Sequence, residues 1–363
     1  MPPRISSRMR WAQPEHLKSR VGVHVTLSAP LTAKPEQPGQ DSEFMKFNGT
    51  IIGVGILAGL ASALMSSGVL VQSGMAVVLY FLTPLPIFVA AFGWGSSAGL
   101  VAASCATIAV GIVASPMAAL LMALTSYAPA ATGSYLSGLA RPASELGGPK
   151  DVMVWYPLSD IVFRLSLFIA ASCVVIGAII GFGPEMATLM ANSAIDALSA
   201  ADPQFVASDE MRQNTSAMLA IAVPAIQPAV SLAILVGNFY LALRLTALSG
   251  RLRRPRDDWP ATMRMPRPAL LVLAIALAVA FLPGTAGLVA TVVVGALSAG
   301  FMMAGLATFH HRTRGKPWRP VALWLVYVAI ILFAFLLFVF MVFGLFDTSR
   351  GAPISKIPEA DNQ

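Results

Sequence analysis

Thr83-Pro84-Leu85-Pro86 interrupts an apolar run, YFLTPLPIFVAAFGWG, over residues 80–95. Proline has no backbone N–H and clashes with the carbonyl four residues back. In hydrocarbon the carbonyls so freed must find partners, so irregular backbone survives there only inside protein or beside a cavity. The motif therefore predicts a broken or kinked helix facing a bundle interior. The chemistry such a break offers is recognition: peptide dipoles and the Thr83 hydroxyl can hold a small molecule. A plain packing kink is the alternative. Gln227 and Asn238 are the notable polar residues of another long apolar run. They stand eleven residues apart, about three helical turns, and could share a face, although Pro228 blurs that register. They would either bond to neighbouring helices or touch a ligand. Arg164 follows Asp160 by four residues, a spacing at which two side chains can meet on a helix. It reads as an arginine reaching the surface beside its partner, or as an anion contact.

Other reactive residue types lack company. Cys105 and Cys173 each sit in an apolar run without a metal-ligand neighbour and read as small packing residues. His310 and His311 adjoin a basic segment with no carboxylate or cysteine at ligand spacing, so no metal or cofactor is expected. The sequence contains no phosphate-binding GxxxxGK loop, no GxSxG elbow, no HExxH and no carboxylate pair within an apolar run. An enzyme is not expected.

The elements that position these residues are membrane spans. The chain has 363 residues, 56% hydrophobic and only 11% charged, against about 25% charged in a soluble domain. A span needs about 20 apolar residues. Nine candidates emerge, at 49–72, 75–94, 96–114, 116–140, 160–183, 216–247, 268–283, 285–309 and 320–346, and eight remains an open count. The expected fold is an all-α polytopic transmembrane helical bundle. The net charge of +7 would suggest nucleic acid in a soluble protein. Here the basic residues lie between apolar runs, where they set topology against anionic lipid. Segments 248–267, 310–319 and 141–159 carry half of them and fall on one side. Segment 184–215 falls on the other, with Arg212 as its one basic residue. That puts the N-terminus in the cytoplasm and, after nine spans, the C-terminus outside. A multi-pass protein of the bacterial inner membrane is expected.

Residues 1–44 show no periodicity and read as a disordered extension. Their VGVHVTLSAPL stretch is too polar for a signal peptide, and Met45 is a second candidate start. Residues 45–346 form one transmembrane domain and 347–363 a short tail. Within the outer segment 184–215, Met186, Leu189, Met190, Ala194 and Ala197 recur at helical spacing. They predict an amphipathic surface helix, either a lid or a connector resting on lipid. In the first span Gly55, Gly59, Ala63 and Ser67 recur every four residues. Such a face lets two helices approach closely, as a seam within the chain or a docking surface for another membrane protein.

The order GILAGLASALM, PLPIFVAAFGWGSSAGLVAA, WYPLSDIVFRLSL, GNFYLALRL with SGRLRRP, LPGTAGLVA, GLATFHHRTRGKPWR and GLFD resembles the YybS-like bacterial inner-membrane proteins, a family defined by a domain of unknown function. The resemblance covers roughly residues 46 to 350. The family carries a glycine-arginine pair where this chain has Ser159-Asp160. Its fold is similar to the substrate-binding S components of energy-coupling-factor vitamin transporters. That likeness implies a small-molecule ligand within the bundle and a transmembrane coupling protein that works with separate ATPases. It also implies docking through Gly55, Gly59 and Ala63, with Ser67 continuing the same face. On that likeness the Pro84–Pro86 break would border a cavity, and the ligand site expected from the residues combines Thr83, Pro84, Pro86, Arg164, Gln227 and Asn238. A non-transport scaffold or assembly protein is the alternative, with nucleic acid not expected as a partner of either.

Overall fold

The computed structural model describes residues 48–70, 74–149, 152–181, 184–202 and 204–350. The expectations for 1–44 and for the last part of the tail lie outside these residues. The described residues form an all-α bundle whose only strands, among them, are two three-residue segments. The first span is α1 (Gly49–Ser66), begun by Asn48, whose side chain accepts from the Ile51 N–H at 2.9 Å. The second is split into α2 (Gly74–Phe81) and α3 (Leu85–Trp94) by the prolines. After Gly95 comes α4 (Ser96–Val113), and Ser115 then caps α5 (Pro116–Met122) by accepting from the Ala118 N–H. A π-helical turn at Ala123–Tyr127 leads from α5 into α6 (Ala128–Gly138). The turn falls directly before Pro129, whose ring nitrogen cannot donate to the Thr125 carbonyl. The single span expected at 116–140 is therefore a helix with a wide turn inside it, ending at Gly138.

A two-stranded antiparallel ribbon, β1 (Ala140–Pro142) and β2 (Met153–Trp155), precedes α7 (Leu158–Ile180). Then follow α8 (Pro184–Ala201), α9 (Asp209–Leu248), the single turn α10 (Trp259–Thr262), α11 (Arg267–Ala280) and α12 (Thr285–Arg312). The run expected as a ninth span is two helices, α13 (Arg319–Leu332) and α14 (Leu336–Ser349). Six helices, counting α2 and α3 as one, are long and apolar enough to cross a bilayer. Only 17% of α1 is buried in the protein although it is apolar throughout, so the rest of its surface needs lipid. Leu57 and Leu64 are 70% and 75% exposed.

Contacts between helix ends sort the connections onto two faces. Arg251 lies over the Trp94 ring at 4.6 Å, tying the end of α9 to the end of α3. Arg254, buried after α9, bonds the carbonyls of Ser137 and Tyr156 and clasps Asp257 with two nitrogens. Arg314 pairs with Asp258. Arg264 pairs with Asp347 at 2.9 Å, and Thr308 donates to the same carboxylate. All of these gather on one basic face, which therefore also holds the end of α14.

The direction of α14 is fixed by its seam with α12. A Cβ on Gly305 would land on the Phe340 carbonyl, and one on Gly344 on the Phe301 carbonyl. Thr308 meets Asp347, so the two helices run in the same direction. Residues 319–349 thus leave the basic face, turn at Phe333–Phe335 and return. The same logic applies to α1 and α4: Gly55 meets Ala98 and Val101, Gly59 meets Ala102 and Cys105, and numbers rise together. The start of α1 lies on the basic face with the start of α4, where Ser96 adjoins Gly138. The start of α1 and the end of α14 therefore share a face, contrary to the expectation that nine spans would leave them on opposite faces. The sequence pattern missed the break at Phe333–Phe335 because it contains neither glycine nor proline.

On the far face α9 extends well beyond a span: 40 residues make about 60 Å. Ser208 caps it, with Asp209 and Glu210 in its first turn, where the helix dipole favours negative charge. This extension packs on α8. Arg212 bonds both Asn192 and Asp196, and Thr188 bonds Ser216. The amphipathic helix expected here exists, but Ala187, Ala191 and Ile195 are the residues buried against α9. Leu189 and Met190, on the apolar face read from the sequence, are exposed rather than packed on α9.

Candidate functional site

The break between α2 and α3 can be followed carbonyl by carbonyl. Pro84 removes the donor that Tyr80 O would take in a regular helix, and Pro86 the one for Leu82 O. Tighter bonds replace both: the Thr83 N–H reaches Tyr80 O at 3.1 Å and the Leu85 N–H reaches Leu82 O at 2.9 Å. That leaves Phe81 O, whose regular partner, the Leu85 N–H, is now engaged elsewhere. Asn238 supplies the missing donor from α9. Its Nδ2 donates to Phe81 O and to Ile234 O, both at 2.8 Å. Two acceptors on one side fix the amide orientation, so Oδ1 points away from them. Further along the α3–α9 contact, Phe88, Phe92 and Phe239 pack together, with ring centroids 5.3–5.7 Å apart.

Thr83 is 1% exposed, Ser62 on α1 is 0% and Asn238 is 5%. Yet Thr83 Oγ1, Ser62 Oγ and Asn238 Oδ1 have no hydrogen-bond partner. Helical Ser and Thr in apolar surroundings ordinarily donate to the carbonyl one turn back. Thr107, Thr125, Ser134 and Ser166 do so here at 2.7–2.8 Å. Ser62 departs from that habit, as does Thr246 on α9, and Thr83 stands in the turn between α2 and α3.

One turn after Ser62, Ser66 accepts a 3.0 Å bond from the Tyr127 hydroxyl. Tyr127 is fully buried and closes the π-helical turn. Such turns concentrate at functional sites. Tyr80, just before the break, lies within electrostatic range of Tyr127. A polar region thus forms where α1, the α2–α3 break, the π turn and α9 converge. Sequence reasoning found Thr83 and Asn238 but missed Ser62, Ser66 and Tyr127. The run Thr125-Ser126-Tyr127 before Pro129 was the available signal, three polar residues inside an apolar span.

The other anticipated residues are dispersed. Pro84 and Pro86 shape the break without touching Asn238's amide through side chains, having no polar atoms there. Gln227 is exposed on α9 and does not join Asn238; Pro224 and Pro228 lie inside the helix between or beside them. Arg164 stands over the Tyr156 ring at 5.4 Å and makes no ion pair with Asp160, so the expected pairing is replaced by stacking on the ribbon's end. Gly55 and Gly59 are engaged with α4, Ala63 is partly buried, and Ser67 bonds the Leu64 carbonyl locally. Among the described residues no cluster of His, Cys, Asp and Glu could hold a metal, and His310 bonds the Tyr327 hydroxyl at 2.8 Å.

The basic-face connections carry a depressed carboxylate, Asp258. The Arg314 guanidinium hydrogen-bonded to Asp258 holds its carboxyl below the usual aspartate range.

Residues 59–348 match the family model described as a predicted membrane protein (DUF2232). The chain belongs to that family. Membership agrees with the apolar helices and with the extent of the resemblance, and the matched region contains every residue of the polar region just described. No curated protein and no solved structure shows significant similarity to the chain. The DUF2232 assignment therefore carries a membrane location and a fold family, and the chemistry rests on the site itself.

Proposed function

We propose that this protein binds a small hydrogen-bonding solute at the α2–α3 break and serves its transport, without making or breaking bonds in it. The observation that carries the reading is the set of three buried, unpartnered oxygens: Thr83 Oγ1, Ser62 Oγ and Asn238 Oδ1. Leaving such a group unsatisfied costs about 1–3 kcal/mol, and a solute with matching donors and acceptors would recover that. Broken helices near the middle of a bundle are where transporters place such solutes. In this reading the basic face lies in the cytoplasm of a bacterial inner membrane, following the positive-inside rule. A transmembrane coupling protein with separate ATPases, as for the S components, would have to dock elsewhere than on Gly55 and Gly59, which α4 already covers.

A second reading, a scaffold for other membrane proteins, is favoured by α13, in which no residue is buried. Native mass spectrometry of the gently extracted chain separates the two. A small-molecule adduct retained by the wild type and lost in Thr83→Val and Ser62→Ala, with the fold intact, supports solute binding. A chain carrying only lipid or protein partners, or an adduct indifferent to both substitutions, supports the scaffold.

A further inference from the structure

A second site, independent of the break, lies on the basic face between α12 and α14. It is a cleft of about 400 Å³, walled by Phe309 on α12 and by Phe343 and Phe346 on α14, with Arg312 and Arg350 at the helix ends. The floor holds Asp347, but that charge is already met: Arg264 lies 2.9 Å from it and Thr308 donates to it. Arg312 and Arg350 have no ion-pair partner among the described residues. The cleft thus presents two uncompensated guanidiniums beside aromatic walls, Phe343 and Phe346 being 48% and 61% exposed.

We infer that this cleft binds the headgroup of an anionic phospholipid, with the acyl chains lying along Phe343 and Phe346. Three features select this occupant. The guanidinium geometry suits phosphate oxygens. The charge sits where two membrane helices end, the level of headgroups rather than of hydrocarbon. The aromatic walls continue from that level towards the apolar interior, so a lipid satisfies both halves of the cleft and a free anion only one. Basic pockets between helices are general sites for such headgroups. The ligand would also brace the α12–α14 seam, because one arginine comes from each helix.

The test uses the full chain in detergent, with phosphatidylglycerol, phosphatidylcholine or inorganic phosphate added, read by lipid adducts in native mass spectrometry and by the unfolding midpoint. Phosphatidylglycerol should be retained over phosphatidylcholine and should raise the midpoint. Arg312→Gln and Arg350→Gln should each weaken retention about fivefold and together about thirtyfold. Arg253→Gln, an exposed charge on the same face but outside the cleft, should leave it unchanged. If the double variant does not fold, Arg350→Gln alone carries the comparison. Equal retention of the two lipids, equal losses in the Arg253→Gln control, or inorganic phosphate raising the midpoint as far as the lipid does would each overturn the inference.

Discussion

Asn238→Leu removes the one donor to Phe81 O among the described residues while keeping the branching and heavy-atom count of the side chain. The lost bond to Phe81 O is 2.8 Å long; the second bond, to Ile234 O, matters less because that carbonyl also serves the helix. An orphaned buried carbonyl costs about 1–3 kcal/mol, but inter-helix hydrogen bonds in membranes average about 0.6 and reach about 1.7 kcal/mol. Leucine also removes the unpartnered Oδ1, which offsets part of the loss. The net expectation is about 1 kcal/mol of destabilisation, or about 2–4 °C in the unfolding midpoint for a domain of this size. The decisive measurement is a double-mutant cycle with Pro84→Ala/Pro86→Ala. With both ring nitrogens replaced by N–H groups, α2 and α3 can join, and the Leu85 N–H can return to Phe81 O. In that background Asn238→Leu should cost clearly less, a coupling of about 0.5–1 kcal/mol. Midpoints taken at one fixed scan rate in detergent give the comparison. An Asn238→Leu shift of the same size in both backgrounds would refute the claim that Asn238 stands in for the backbone donor.

Thr83→Val deletes a hydroxyl that bonds nothing, so the ligand-free protein should be as stable as the wild type or up to about 1 kcal/mol more so; a clear loss in the unfolding midpoint would mean that the hydroxyl has a partner. Gly305→Leu forces a side chain into the Phe340 carbonyl and should cost at least about 1–3 kcal/mol, read as loss of folded protein or as protease access to α14. Single cysteines at 258 and 349 should react with a membrane-impermeant thiol reagent from one side and a cysteine at 190 from the other; labelling of 349 with 190 would overturn the returning hairpin. Because the Asp258 carboxyl is held below its ordinary value, its bond to Arg314 stabilises the fold fully above about pH 4 and is lost as pH falls through the depressed value. Asp258→Asn should abolish that acid-side dependence, measured as midpoint against pH, and leave the neutral-pH fold nearly unchanged because the pair is exposed.

The class of fold was legible because apolar length and basic clustering are one-dimensional signals. The prolines at 84 and 86 likewise announced the α2–α3 break, since a missing N–H acts locally. What escaped was set in three dimensions. The π turn at Ala123–Tyr127 widens a helix by one residue and leaves no periodic mark until its neighbours are known. The return at Phe333–Phe335 interrupts an apolar run with apolar residues, so hydropathy reads through it. Gln227 and Asn238 looked like a pair because an ideal helix would nearly align them; in the folded chain one is exposed and the other reaches Phe81 O. Arg254 read as one more topological charge, whereas four hydrogen bonds bury it as a clamp between α6, the ribbon and the α9 exit.

A break that exists only for packing and a break that exists for binding differ in what is left unpaired. Here most of the backbone of the break is met without any ligand: Tyr80 O, Phe81 O, Leu82 O and Pro84 O each accept from this chain. The empty protein can therefore hold its kinked shape, and no solute is needed to fold it. The side chains are in the opposite condition, with three buried oxygens, one on α1, one at the break and one on α9, none of them bonded. If packing were the sole purpose, apolar isosteres at 62 and 83 would fill the same volume without that cost. A break whose carbonyls are mostly met by the chain, beside side chains still unsatisfied, is the arrangement of a site preorganised for something small. That asymmetry makes Thr83 and Ser62, rather than Asn238, the positions at which binding and stability can be separated by substitution.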